Sequence, residues 1–296
     1  MYLRKKLNIL RLVTVNSGVL GIMVVYAVGV FIAYENPYVS LPSLPSYVLT
    51  PFSFALALLI SNIINKAYDR YWEGRKIWGG LINVSRNFSR NVLCSNIDDE
   101  LKKTMVRRQI AYVYAVKNNL CGDTNYDKVF SLLNKTSEEM KMMNGSTNIA
   151  LFLNIKQGES VHLSARKGVI DGHTEDRLSR TLSEIIDCQG KAERIKNTPL
   201  FRPYAFFTKV FFWIFIFLVP LVYVKGMSFY MIPITVIIGF AFTMLIDIGT
   251  SSEEPFVVSN SSLPMNDLCN TIERDLCEMN GDLVPKKEGA INGILK

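Results

Sequence analysis

Residues 51–80 read PFSFALALLISNIINKAYDRYWEGRKIWGG, an apolar run that passes into a charged and aromatic one with no glycine or proline between Phe52 and Glu73. Nothing in this stretch stops a helix at a membrane surface, so it reads as one continuous helix that leaves the bilayer. Asn65, Tyr68, Asp69, Arg70, Glu73, Arg75 and Lys76 follow the apolar part within about three turns. Spacing by four places Phe54, Leu58 and Asn62 on one stripe. A helix of this kind suits the lining of a passage. In an oligomer, rings of such residues form a narrow apolar constriction, which passes ions only when water wets it. The same spacing also fits plain packing of Phe54 and Leu58 against neighbouring spans.

The rest of the chain repeats the contrast between apolar blocks and charge. Its 296 residues carry 33 Lys plus Arg against 26 Asp plus Glu, a net charge of +7, together with a positive mean hydropathy of +0.19. Apolar residues must then be concentrated in blocks. The first block follows Arg4-Lys5-Lys6 and Arg11 and is uncharged from Val13 to Tyr34, long enough to cross a hydrocarbon core about 30 Å thick. It ends in bulky residues rather than a small-residue cleavage site, and so reads as an uncleaved first span. The second block covers about Tyr47 to Ile64, the third about Tyr204 to Val224 and the fourth about Met227 to Ile248, with a short link near Lys225-Gly226.

These blocks predict an all-α, four-span membrane protein with a helical cytosolic region. The divisions are residues 1–66 for spans one and two, 67–203 for the cytosolic region, 204–250 for spans three and four, and 251–296 for a cytosolic tail. Residues 35–46 hold no Lys or Arg, whereas the stretches after Asn65 and before Phe206 are rich in both. The positive-inside rule then places both termini in the cytoplasm and the chain in the cell's inner membrane. Asp247, near the end of span four, is either a functional acid at membrane depth or an ordinary interfacial helix end.

In the polar region, LKKTMVRRQIAYVYAVKNNL from Leu101 and RLSRTLSEIIDCQGKAERI from Arg177 repeat apolar residues at helical intervals. Residues 123–148, with Lys135-Thr136-Ser137 and Asn144-Gly145-Ser146, read as loops around short helices. Asp69, Arg70, Glu73, Arg75 and Lys76 form a charged cluster that fits ion binding at a pore entrance. It also fits helix-face pairing of Arg70 with Glu73 and of Glu73 with Lys76. Tyr71, Trp72 and Trp78 sit where interfacial aromatics usually sit. Cys94, Cys121, Cys188, Cys269 and Cys277 show no CxxC spacing, and two histidines, His162 and His173, give zinc chemistry little to work with. No Walker loop, GxGxxG or nucleophile elbow is present, so neither an enzyme nor a nucleic-acid partner is expected.

Three motifs carry a family resemblance. Asn65 through Gly80 resembles the signature that follows the pore helix in bacterial members of the bestrophin family. Glu193-Arg194-Ile195-Lys196-Asn197-Thr198-Pro199 resembles the family's approach to span three. Glu253-Glu254-Pro255-Phe256, followed by Leu263 to Arg274, resembles its segment after span four. The resemblance implies a homopentameric ion channel in the lipid bilayer, whose second spans surround one pore with a hydrophobic neck. On this alignment the neck falls on Phe54, Leu58 and Asn62. Many relatives have an aromatic residue and then a basic one at the places of Asn62 and Ile63, so this neck ends in amides and its dewetting barrier falls. Animal members bind calcium after span four. The matching Ser251-Ser252-Glu253-Glu254-Pro255 offers Glu253 and Glu254 as ion or calcium contacts, though calcium wants six to eight oxygens. The family also has a cytosolic aperture, for which Ile170 and Leu178 lie at suitable distances before Glu193.

Passive permeation of inorganic ions is thus the expected function, with no cofactor beyond a possible calcium ion. The net charge favours a monovalent anion, chloride. Alternatives are a cation channel of the same architecture and a nonconducting membrane scaffold. A secondary transporter would show more spans and an internal repeat.

Overall fold

The computed structural model describes residues 13–42, 44–133, 143, 145–199, 202–257 and 262–286. Lys135-Thr136-Ser137, Asn144 and the basic opening Arg4-Lys5-Lys6 with Arg11 lie outside the described residues. All regular structure among the described residues is helical: α1 Ser17–Glu35, α2 Leu49–Leu93, α3 Asp99–Cys121, α4 Asp127–Leu132, α5 Ile149–Arg166, α6 Gly172–Asn197, α7 Arg202–Met227, α8 Met231–Ser251 and α9 Met265–Asn280, with 3-10 turns at Ser46–Val48 and Ser228–Tyr230. Three segments are long and apolar enough to cross a membrane: Ser17–Glu35, Ser46–Leu93 and Pro203–Ser251. The last is cut by the turn at Ser228, whose φ of 47° reverses the backbone. Phe215 then meets Phe242 edge to face at 5.4 Å, so α7 and α8 fold back on each other.

The contacts divide the described chain into two compact units, one of residues 13–70 with 199–253 and the other of 71–198 with 254–286. The first is membrane-like in composition. Its largest apolar cluster takes Met23 from α1, Leu56 and Ile60 from α2, Phe212 and Ile216 from α7 and Ile246 from α8. These residues recur at helical intervals, so each helix buries one stripe and leaves the rest of its apolar surface outward, as a lipid-facing segment does.

The second unit has a conventional core. Val106, Ile110 and Val113 of α3, Leu153 and Val161 of α5, Leu178 and Ile185 of α6, and Ile272 and Leu276 of α9 pack into one cluster. Local chemistry starts these helices where the apolar periodicity begins. The Asp98 carboxylate accepts from the Glu100 and Leu101 amides ahead of α3, Asn148 caps α5 through Leu151, and Asp171 caps α6 through Thr174. Several polar groups inside the core are paired: Gln109 Nε2 donates to Ser85 Oγ at 3.0 Å, Gln157 Nε2 to the Met105 carbonyl at 2.7 Å, and Arg108 Nη1 to Ser160 Oγ at 3.0 Å. Arg107 clamps Asp282 after α9, Nη2 to Oδ1 at 2.6 Å, and holds that carboxyl below its ordinary pKa. Tyr114 and Lys128 both reach the buried Glu273, each at 2.6 Å.

Candidate functional site

The helix α2 is the longest among the described residues, with 45 residues, about 67 Å of continuous helix. Its two faces differ. In the first unit, Leu56, Ile60, Ile63 and Ala67 are buried, while Phe54 is 67% and Leu58 52% exposed. Asn62, Asn65 and Asp69 continue the exposed stripe. Asn65 Nδ2 lies 3.5 Å from Ser61 Oγ, and Asn62 has no side-chain partner among the described residues. Leu58 and Asn62 also border an apolar groove of ≈ 560 Å³ lined by Ala55, Leu59, Pro203, Tyr204, Phe207 and Phe211. One flank of the stripe is therefore open in a single copy.

Two members of the charged cluster after the stripe, Arg70 and Glu73, are held by distant partners instead of by their own helix face. Arg70 Nε donates to the Glu253 carbonyl at 2.9 Å. Glu73 Oε1 receives Arg194 Nη2 of α6, also at 2.9 Å. Glu73 thus pairs with Arg194 and not with Arg70 or Lys76, and because both side chains are substantially exposed the pair contributes little to stability. Gly74 explains another part of the signature: a Cβ there would lie 3.1 Å from Leu263 and 3.3 Å from Phe256. Motifs far apart in sequence meet at these positions. Arg75 and Lys76 stay exposed without an ion pair among the described residues, and Tyr68 is exposed. Trp78 is not interfacial. It is 1% exposed in the core of the second unit, since α2 continues well past it and turns that face inward.

The segment 251–255 does not fit a calcium ion. The Glu253 carbonyl, which would have to supplement the carboxylates, is taken by the Arg70 guanidinium, a positive charge at the place of the cation. Ser251 Oγ faces the Ile248 carbonyl, and no group of three His, Cys, Asp or Glu suited to a metal occurs among the described residues. Asp247 accepts from Asn16 Nδ2 at 2.9 Å, a pairing that satisfies an acid in an apolar helix. A polar residue opening span one was the available signal. Leu178 is fully buried and Ile170 7% exposed, so neither presents a side chain to an aperture. Val169, one residue earlier, is exposed.

Residues 2–278 match the family model described as Bacterial/Fungal Bestrophin protein. The chain belongs to this bestrophin family. Among curated bestrophin relatives, it is 28% identical over 246 residues to the voltage-dependent anion channel-forming protein YneE of Escherichia coli (strain K12), covering 81% of this chain and 80% of that one. It is 27% identical over 235 residues to a voltage-dependent anion channel-forming protein of Nostoc sp., covering 77% and 75%. The crystal structure of a bacterial bestrophin homolog from Klebsiella pneumoniae superposes with a TM-score of 0.80 at 22% identity, over 89% of this chain and 98% of that one. At that identity the likeness is one of fold, and it makes the chain an all-α membrane protein with the bestrophin fold.

Proposed function

We propose that this bestrophin assembles as a homopentamer in the inner membrane and passes chloride or another monovalent anion passively through a central pore lined by α2. The observation that carries this reading is the exposed stripe of Phe54, Leu58 and Asn62 on a helix whose opposite face is packed. A stripe that is apolar and open in one copy needs neighbours. Five copies would turn it into rings, and the groove beside Leu58 would receive the adjacent copy's helix. The naming of relatives as anion channel-forming supports the ion class, as does the net charge of +7. In this arrangement α1, α2, α7 and α8 are the four crossings, both termini and the second unit are cytoplasmic, and calcium has no part.

No bond is made or broken. Hydrated ions meet an apolar ring at Leu58 and an amide ring at Asn62, and the amides supply donors and acceptors that keep water in the neck. Single-channel recording of purified full-length protein tests the assignment. Leu58→Ala widens the neck and raises conductance, whereas Asn62→Phe restores an apolar ring and lowers it. Wild-type conductance in both variants would remove these positions from the pore.

A further inference from the structure

The exposed stripe of α2 does not end at Asn62. It passes Asn65 and reaches Asp69. Leu58 and Asp69 are separated by about three helical turns, so their side chains leave the helix within about 20° of each other, about 16 Å apart along the axis. Whatever Leu58 faces, Asp69 faces too. Asp69 is exposed and has no hydrogen bond or ion pair among the described residues. Its neighbouring cations do not neutralise it: Arg70 directs Nε to the Glu253 carbonyl, and Lys66, one turn earlier, closes no ion pair on it.

We propose that Asp69 is a specificity-determining residue of the pore, one carboxylate per copy that holds cations and turns back anions just beyond the amides of Asn62 and Asn65. This rests on the channel reading above. In water, a unit charge about 6 Å from a passing ion changes its occupancy about threefold, and a ring of such charges multiplies the effect. The amides carry no net charge, so they wet the neck without choosing a sign. Any anion preference produced by the basic residues of this chain is therefore reduced by Asp69.

The test is the reversal potential in planar bilayers under a KCl gradient, with wild type, Asp69→Asn, Asp69→Glu and Leu58→Ala measured side by side. Asp69→Asn is expected to raise the chloride-to-potassium permeability ratio about threefold or more, and Asp69→Glu to keep the wild-type value. An unchanged ratio in Asp69→Asn, with conductance altered in Leu58→Ala, overturns this proposal and leaves the channel reading standing. Equal shifts in Asp69→Asn and Asp69→Glu also overturn it, since charge would then not be the cause. Absence of current from wild type overturns both readings together.

Discussion

Tyr112 shows how much one polar atom can weigh in the helical unit. Its ring is fully buried on α3, and its hydroxyl donates to Gln189 Oε1 at 2.6 Å. Gln189 Nε2 in turn donates to Glu193 Oε1 at 2.7 Å. Burial pushes the phenol pKa up, so the donor keeps its proton throughout the neutral range. Tyr112→Phe removes that donor and leaves a buried amide oxygen unpaired, at a cost of about 1–3 kcal/mol. Chemical denaturation of the detergent-solubilised protein checks this, and wild-type stability in the variant would show that water or a shifted side chain replaces the bond. Glu193 belongs to the segment that carries the family resemblance, yet its link to Tyr112 could not be read from sequence. The same holds for Glu73. Its neighbours at helical spacing were visible, but its actual partner, Arg194, lies 121 positions away and is brought close only by tertiary packing.

At the scale of elements, α2 was largely legible. An apolar run without glycine or proline, followed by charges at helical spacing, allows little else, and the stripe of Phe54, Leu58 and Asn62 comes directly from 3.6-residue periodicity. The link between α7 and α8 was less so: α7 runs on through Gly226 to Met227, and the reversal falls at Ser228. A single glycine costs a helix only about 1 kcal/mol, and Gly226 lies exposed within α7, so composition placed the turn slightly early. The helix α9 carries a clear periodic signal, with Met265, Leu268, Cys269, Ile272, Leu276 and Cys277 at helical spacing and buried on one face, so this element was legible beyond the family motif it contains. Close approach of elements was not legible at all. On α8, a Cβ at Gly249 would stand 2.6 Å from Ile63 Cγ2 of α2. Gly249→Ala must push back a β-branched side chain with few alternative rotamers, and overpacking of this kind costs about 1–3 kcal/mol. A lower thermal stability of Gly249→Ala, partly restored by Ile63→Ala in the double variant, is the expected result. Additive losses would mean that the two side chains do not conflict.

For the whole molecule, composition announced membrane spans and a charged region, and the structure divides the contacts into two units of matching character. The division differs from a linear parsing because α2 runs through both, and because the segment after α8 packs with the helical unit through Phe256 and Leu263. A single copy leaves the stripe of α2 uncovered, and the proposed channel therefore requires an assembly. In the proposed assembly the sign of the ion is then a sum over the charges of every copy, in which 33 Lys plus Arg outnumber 26 Asp plus Glu, Asp69 included. The most direct test is the reversal potential of the purified wild-type protein in a planar bilayer under a KCl gradient. An anion channel gives a current that reverses on the chloride side of zero, and a reversal at the potassium equilibrium potential, or no current from intact oligomers, would contradict that assignment.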